Sequence, residues 1–153
     1  SSKKKYNRVL KSLLQGCKLL EKNKCKFIVI PCNTAHYWYE DLQKKINLPI
    51  INMPKEVFNF TKKKCKKNSS IGLLATEGTL KTGVYNKFFD RDYNLIFPDK
   101  KNQNNSVNKA IKIDTHLSGH ILIILTSADE YKLLHCNFSP LNNNTLKLTG
   151  YFI

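Results

Sequence analysis

A thiol, an amide and a hydroxyl follow one another directly after a short apolar run in the first third of the chain. The apolar segment 27–30 stops at Pro31, and Cys32, Asn33 and Thr34 come next. A short apolar run that ends at a proline predicts a fully buried strand of a parallel sheet. Ligands bind at the carboxyl ends of such strands, so Cys32 is a candidate reactive thiol beside the start of a helix.

A second loop with similar chemistry follows the apolar segment 71–75. It carries Thr76, Gly78 and Thr79, with a glutamate between the first two. Hydroxyls and free backbone N–H groups at the start of a helix are a common way to hold a carboxylate or a phosphate. Glycine permits a close backbone approach. On its own this string is more often a capped turn, just as a single cysteine at a strand end is more often structural.

Other residues that carry chemistry give weaker signals. The five cysteines (17, 25, 32, 65 and 136) form no CxxC pair, which predicts reduced thiols and no metal site. His36 is expected to bond a neighbouring carbonyl on the first helical turn, with a catalytic role as the alternative. The aromatic run 37–39 is expected to pack, unless one ring lines the site.

The formal net charge of +15 raises the question of nucleic-acid binding. Arg8 and Arg91 are the only arginines, and every other basic residue is a lysine spread along the chain. Because arginine is the residue suited to bidentate phosphate and base contacts, nucleic acid is not the expected partner. No apolar run reaches the length of a membrane span and no signal peptide precedes the first strand, so a cytoplasmic protein is expected, without a membrane role.

Strand and helix patterns alternate along the chain. Predicted strands cover 26–31, 49–53, 71–75, 93–97 and 121–125, and predicted helices cover 7–22, 37–46, 55–67 and 80–89. Residues 98–108 are expected to form a loop, with a helical turn or two over 107–113. A weak helical start is expected over 131–135, and loop and tail after 136. This alternation predicts an α/β fold with a doubly wound parallel sheet.

Three strings in the chain resemble a known family. They are Ile30-Pro-Cys-Asn-Thr-Ala-His36, Leu74-Ala-Thr-Glu-Gly-Thr79 followed by Tyr85, and Pro98-Asp99. Together they resemble the aspartate/glutamate racemase superfamily, nearest its aspartate racemase branch, over roughly residues 10–134. The resemblance implies two facing α/β halves that move a proton at the substrate Cα, with no pyridoxal phosphate, metal or other cofactor.

The resemblance also implies residue roles. Cys32 matches the catalytic cysteine of the first half, and Asn33 and Thr34 match residues that hold the substrate. The loop containing Thr76, Gly78 and Thr79 matches the loop that binds the substrate carboxylate. The implied substrate is an acidic amino acid such as aspartate. A thiolate is a capable base, and fixed N–H and hydroxyl donors stabilise the charge that develops on the carboxylate.

The chain departs from the family pattern at its second catalytic position. Ser127 falls where the second cysteine is expected, and Asp129 falls where that motif has a glutamate. A serine hydroxyl is a weak substitute for a thiol without an activating partner. Cys136, nine residues later, is too distant along the chain to replace it simply.

The first half also lacks its early strands. Residues 1–67 match the C-terminal part of a first racemase-like half, 68–136 match a second half, and 137–153 are expected to be a tail. The chain opens on Ser1 rather than Met, as a fragment of a longer product would. An incomplete half exposes sheet edges and apolar surface, which a homodimer would cover.

Three functions remain open from the sequence. The first is a cofactor-independent racemase of an acidic amino acid, impaired by the serine at position 127. The second is a one-sided isomerase or decarboxylase that uses Cys32 alone. The third is a degenerate relative that binds a small carboxylate without catalysis.

Overall fold

The amphipathic N-terminal helix packs against a small parallel sheet. The computed structural model describes the backbone of residues 2–113, 122–127, 130–141 and 145–151 and the side chains of residues 3–111. Helix α1 (Ser2–Lys22) places Cys17 in a core cluster with Ile28 and Leu42. The predicted helix therefore exists and begins five residues earlier than expected, since the lysines before residue 7 carry no apolar periodicity but continue the same helix.

The first sheet confirms the first predicted parallel pair. Strands β1 (Ile28–Val29) and β2 (Ile50–Ile51) pair in parallel, with Ile28 opposite Ile50. Both are shorter than predicted, because prolines flank them and cannot donate to a ladder. Between them lie a 3₁₀ helix (Thr34–Trp38) and α2 (Tyr39–Gln43), where one helix over 37–46 was expected. Helix α3 (Met53–Lys64) follows β2 directly.

A second parallel pair forms the start of the larger sheet. Strand β3 (Ser70–Leu74) pairs in parallel with β4 (Asn94–Ile96), with Ile71 opposite Leu95. The helix predicted over 80–89 is two helices, α4 (Glu77–Thr82) and α5 (Asn86–Phe89). Gly83 ends α4 in the left-handed conformation, at φ 61°, which glycine adopts without a steric penalty. A core of β3, α3 and α5 residues, including Val57 and Phe89, lies beneath this sheet.

The loop predicted over 98–108 is wrong, because the chain is helical from Lys100. Helix α6 (Lys100–Asn102), a π-helical turn (Gln103–Val107) and α7 (Asn108–Ile113) form one continuous segment. The Asp99 carboxylate caps it by accepting from the Asn102 N–H at 2.7 Å. The polar composition hid this helix, since only Gln103 within Lys100–Val107 is buried and no apolar stripe marks the inner face.

Three antiparallel strands complete the larger sheet. Strands β5 (Leu122–Ser127), β6 (Glu130–Leu141) and β7 (Thr145–Tyr151) give the sheet order β4-β3-β5-β6-β7. The helical start predicted over 131–135 and the loop predicted from 137 are wrong, because cross-strand pairing from His135–Tyr151 to Leu141–Thr145 orders this segment as a hairpin. Pairing depends on the partner strand, so a weak local pattern does not reveal it.

The fifth strand exists where it was predicted but runs antiparallel to β3. Leu122 lies opposite Leu74, and Thr126 lies opposite Ser70. The fold is therefore α/β, as predicted, with two parallel strand pairs and an antiparallel extension. Among the described residues, no helix combines the length and apolarity needed to cross a bilayer.

Candidate active site

The first site loop turns sharply at Pro31 and leaves its thiol open to solvent. The Cys32 N–H donates to the Ile30 carbonyl at 2.8 Å, which closes a tight turn around the proline. The Cys32 carbonyl accepts from the Ala35 N–H at 3.2 Å, as the first bond of the 3₁₀ helix. The Cys32 side chain is exposed and is a free thiol. The backbone of this cysteine is thus held on both sides while its sulfur stays accessible.

His36 holds this loop to the start of helix α3 from within the core. Its side chain is buried, and Nδ1 lies 2.9 Å from the Cys32 carbonyl while Nε2 accepts from the Met53 N–H at 3.1 Å. An Nε2 that accepts carries no proton, so the ring is the neutral Nδ1–H tautomer. The Ile51 carbonyl, 3.4 Å from Nε2, is then a contact and not a bond. Burial lowers the pKa of His36, which agrees with a neutral ring.

Asn33 is oriented by a residue of the other half of the site. The Tyr85 hydroxyl donates to Asn33 Oδ1 at 2.7 Å. Tyr85 is almost completely buried, on the turn between α4 and α5. The bond joins residues 52 positions apart, so it ties the loop after β1 to the helices after β3.

The second site loop is a capped helix start, as the sequence predicted. The Thr76 hydroxyl accepts from the Thr79 N–H at 3.3 Å and lies 3.1 Å from the Thr79 hydroxyl. Thr76 is exposed, and Thr79 is 2% exposed. An acidic side chain beside a carboxylate site would repel the ligand. The exposed Glu77 is bonded to Lys81, and this bond to a positive charge lowers the pKa of Glu77 and offsets the charge of its carboxylate.

The two loops meet through their threonines. The Thr34 and Thr79 hydroxyls lie 3.0 Å apart, which makes a row of three hydroxyls with Thr76 at one end. Gly78 explains why the backbones come so close, because a Cβ at that position would lie 3.3 Å from Thr34 Oγ1 and from its Cγ2. Of the site residues predicted from the two strings, Thr34, Thr76, Gly78 and Thr79 therefore form one cluster. Asn33 and Cys32 adjoin it in the chain, and Asn33 bonds Tyr85.

Gln103 is a supporting residue that the sequence reasoning missed. Its amide Nε2 donates to the Ala75 carbonyl at 3.0 Å and to Asn108 Oδ1 at 2.8 Å. The side chain is 6% exposed, and its Oε1 has no partner among the described residues. Ala75 directly precedes Thr76, so this buried glutamine anchors the second loop from the π-helical turn. A buried polar residue in an asparagine-rich segment gives no signal in the sequence.

Ser127 is not brought to this cluster. It is the last residue of β5, which runs antiparallel to β3, and it pairs with Glu130. Leu122 lies beside the Leu74 end of β3, and Ser127 is five residues further on, about 16 Å at a strand rise of 3.3 Å per residue. The Ser127 backbone therefore lies near the Ser70 end of β3, whereas the Thr76 loop follows the Leu74 end. Asp129 lies outside the described residues.

The aromatic run after the first loop packs against the N-terminal helix. The Tyr6 and Trp38 rings pack at a tilt of 39° with centroids 5.5 Å apart, and Tyr37 meets Tyr6 edge-on. The Tyr6 hydroxyl bonds the Asp41 carboxylate, and this bond, together with burial, raises the pKa of Tyr6 to about 12. Packing is thus the observed role of Trp38. Among the described residues, no group of three His, Cys, Asp or Glu side chains is arranged to hold a metal ion.

Cys17, another of the four described thiols of the first half, differs from Cys32. Cys17 is buried in the core beneath α1, and burial raises the pKa of the Cys17 thiol. The cluster as a whole combines one open thiol, one oriented amide, hydroxyl donors and the N-terminus of α4. Such a set can bind a carboxylate and exchange a proton with a carbon acid beside it.

The fold and the site together define a class of protein. It is an α/β domain with a thiol and a loop suited to binding a carboxylate, both at the carboxyl ends of parallel strands. The sequence profile of the Asp/Glu/Hydantoin racemase family matches residues 1–126. The chain belongs to this family.

Individual relatives match a shorter stretch. The chain is 32% identical over 82 residues to the broad specificity amino-acid racemase RacX of Bacillus subtilis (strain 168), covering 54% of this chain and 35% of that protein. It is 39% identical over 72 residues to the glutamate racemase of Lysinibacillus sphaericus (strain C3-41), covering 46% of this chain and 27% of that protein. The matches thus span about a third or less of these curated relatives.

A solved structure shows a partial likeness. The glutamate racemase from Aquifex pyrophilus superposes with a TM-score of 0.47 at 23% identity, covering 72% of this chain and 47% of that one. Family membership rests on the sequence profile and does not depend on this superposition.

Proposed function

We propose that this chain carries out proton transfer at the Cα of an amino acid, with Cys32 as the proton-transferring thiol and no cofactor. The observation that carries the proposal is the exposed Cys32 thiol, which is followed in the chain by Asn33, bonded to Tyr85, and by Thr34, whose hydroxyl lies 3.0 Å from that of Thr79 in the second site loop. Membership of the Asp/Glu/Hydantoin racemase family supports it. The proposed substrate is an acidic amino acid such as aspartate, and the proposed location is the cytoplasm.

The proposed first step is abstraction of the α-proton. The Cys32 thiolate takes the proton and becomes a thiol, and the electron pair of the broken C–H bond moves into the substrate carboxylate. The charge that builds on the carboxylate oxygens is stabilised by donors fixed before the reaction, namely the Asn33 amide and the hydroxyl at one end of the threonine row, that of Thr34 or of Thr76. Because these donors already hold their positions through bonds to Tyr85 and to Thr79, little reorganisation accompanies the step.

The second step decides between racemisation and one-sided exchange. Racemisation requires an acid on the face of Cα opposite Cys32, and the family uses a second thiol there. The Ser127 backbone lies at the end of β5 that is away from the Thr76 loop. This position favours a one-sided reaction as the second candidate. In that reaction Cys32 returns a solvent-exchanged proton to the face from which it removed the original.

Incubation with L- and D-aspartate in deuterated water tests both. Proton NMR follows loss of the α-proton signal, and chiral chromatography follows inversion. Exchange with inversion supports racemisation, and exchange with retention supports the one-sided reaction. Absence of exchange with both enantiomers, together with retained aspartate binding, would leave the third function, a carboxylate-binding relative.

The homodimer expected from the sequence remains part of this proposal. The N-terminal part comprises a two-stranded sheet that pairs with no further strand among the described residues, and α1 exposes Leu19 and Leu20. A second copy would cover such surface.

A further inference from the structure

We propose that Tyr85 is a positioning residue that fixes the orientation of the Asn33 amide, so that its donor end faces a carboxylate ligand. The inference rests on the proposed role of Asn33 as a substrate-binding residue. By this inference, a buried tyrosine outside the two site loops controls which ligand group the site accepts.

The geometry of the Tyr85–Asn33 pair carries the inference. The Tyr85 hydroxyl donates to Asn33 Oδ1 at 2.7 Å, and Tyr85 is 1% exposed. Its ring is held in the core beneath β3, with the Phe89 ring centroid 6.1 Å away. A ring that is 1% exposed within a packed core cannot move its hydroxyl far, so the hydroxyl is a fixed reference point for the more open Asn33.

An asparagine amide has two chemically opposite ends. Its oxygen accepts hydrogen bonds, whereas its NH₂ group donates two. Since the Tyr85 hydroxyl engages the oxygen, the NH₂ group is the end left for a ligand. A carboxylate needs donors, and an amide turned by 180° would present oxygen lone pairs to it. With its hydroxyl proton directed at Asn33 Oδ1, the tyrosine therefore favours an anionic ligand group over one that itself donates.

The placement of Asn33 makes this orientation consequential. Asn33 follows Cys32 directly, and Thr34 on its other side reaches the Thr79 hydroxyl at 3.0 Å. The amide thus lies between the thiol and the hydroxyl row along the chain. A wrongly turned amide would disturb ligand binding at this point without moving either loop.

The central experiment compares Tyr85→Phe with a matched control, Tyr93→Phe. Tyr93 is 7% exposed in the same core cluster, and its hydroxyl donates to the Cys65 carbonyl at 3.3 Å, away from the site loops. Both variants lose one hydroxyl and keep the ring, so both report equally on packing. Urea unfolding verifies that the two variants are folded.

Two readouts separate this inference from the proposed activity. The first is the dissociation constant of succinate, a dicarboxylate with no amino group, measured by isothermal titration calorimetry in every variant and, where Asn33 is present, also from its effect on the Asn33 side-chain NH₂ signals in ¹⁵N-labelled full chain. The second is the KM and kcat of α-proton exchange with L-aspartate and L-asparagine. The Asn33 signals are identified by their loss in Asn33→Ala.

The expected result is specific to Tyr85. Tyr85→Phe should weaken succinate binding by roughly three- to tenfold, the worth of one neutral hydrogen bond, and raise KM for L-aspartate by a similar factor. Because the α-carboxylate is common to both substrates, KM for L-asparagine should rise by the same factor, and Tyr93→Phe should match the unaltered chain. In an Asn33→Ala background, Tyr85→Phe should have no further effect on succinate binding.

Unchanged succinate binding in Tyr85→Phe, equal losses in both tyrosine variants, or a full additional loss in the Asn33→Ala background would each overturn the inference. So would absence of any succinate effect on the Asn33 signals of the unaltered chain. Absence of α-proton exchange with succinate binding intact would instead refute the proposed activity, and the Tyr85 inference would then be decided by binding alone.

Discussion

Two cysteines of the first half occupy opposite environments although they are only 15 positions apart in the chain. Cys17 faces the core from α1, and Cys32 is exposed on the site loop. A thiol reacts through its thiolate and needs access to the reagent, so only the second environment suits proton transfer. This contrast leads to a chemical test at the scale of single residues.

Iodoacetamide should alkylate Cys32 before Cys17, and alkylation of Cys32 should abolish α-proton exchange. The reason is that the Cys32 side chain is exposed, whereas burial raises the pKa of the Cys17 thiol. Peptide mass spectrometry at increasing reaction times gives the order of modification. Cys32→Ser should lower exchange by at least about a hundredfold, as loss of an acid–base group does, while changing the free energy of unfolding by less than about 0.5 kcal/mol. Retained exchange in Cys32→Ser would remove the thiol from the mechanism.

His36 should make stability depend on pH. Burial holds its folded-state pKa below the ordinary 6.5, so the unfolded chain binds this proton first as the pH falls. The stabilisation from the neutral ring is therefore complete above about pH 6.5 and declines below it, down to the folded-state pKa. Urea unfolding of the unaltered chain at pH 8, 7, 6 and 5 should show this decline.

The matched variant for this test is His36→Asn, which retains a donor for the Cys32 carbonyl and loses the acceptor for the Met53 N–H. Loss of that buried bond should lower the free energy of unfolding by about 1–3 kcal/mol at pH 8. The decline between pH 7 and pH 5 should also become shallower, because a group that titrates differently in the two states has been removed. Parallel pH profiles for the two proteins would assign the decline to other groups.

At the scale of loops and helices, the glycines of α1 and α4 offer a matched pair. Gly78→Ala would place a Cβ 3.3 Å from the Thr34 side chain and press the two site loops apart, whereas Gly16→Ala meets nothing within 4 Å. We expect Gly16→Ala to stabilise the chain by about 0.5–1 kcal/mol, through helix propensity alone. Gly78→Ala should gain less stability and weaken succinate binding. Equal behaviour of the two variants, in unfolding and in succinate titration, would show that the close approach has no role.

The π-helical turn should contribute to the second loop through Gln103. Gln103→Leu removes the donor to the buried Ala75 carbonyl, so the free energy of unfolding should fall by about 1–3 kcal/mol, the usual cost of a buried unpaired polar group. Asn105→Leu, at an exposed position of the same turn, serves as the control and should change it by less than about 0.5 kcal/mol. A smaller effect at Gln103 than at Asn105 would contradict an anchoring role.

The elements that could be predicted from the sequence are those marked by apolar runs and turn residues. Strands β1 to β5 and helices α1 and α3 fall where such runs predict them, and Pro31 and Thr76 mark the two site loops. The helix from Lys100 could not be predicted, because its one buried residue within 100–107 is a glutamine. The direction of β5 and the β6–β7 hairpin depend on pairing between strands, which a local pattern does not encode.

The candidate site shows the same division. Short strings were enough to select Cys32 and the threonine loop, because the chemistry requires those residue types next to one another. They could not select Gln103, whose role depends on contact with a carbonyl 28 positions away, nor the Tyr85 hydroxyl bond to Asn33. They also placed Ser127 by analogy, whereas strand direction separates it from the other candidates.

At the scale of the whole molecule, exposed apolar side chains and open strand edges predict self-association. Leu19 is 61% exposed on α1, and Ile96 and Phe97 are exposed at the β4 edge of the larger sheet. Sedimentation velocity should show a species of twice the 17.7 kDa chain mass. Leu19→Glu should shift it toward the monomer if α1 forms the contact. A single 17.7 kDa species at all concentrations would contradict the homodimer.

The division of the chain into halves at residue 68 likewise remains a prediction.

The row formed by the Thr34, Thr79 and Thr76 hydroxyls has a consequence for the stoichiometry of ligand binding. Three hydroxyls contain three protons, and two of them are used within the row, between neighbours 3.0 and 3.1 Å apart. One proton is left to point outward, from Thr76 when the row runs one way and from Thr34 when it runs the other. An anion at either end sets the direction for all three, so the two ends cannot donate at once. A single carboxylate therefore takes this proton, and a second acidic group on the same ligand must find its donors elsewhere.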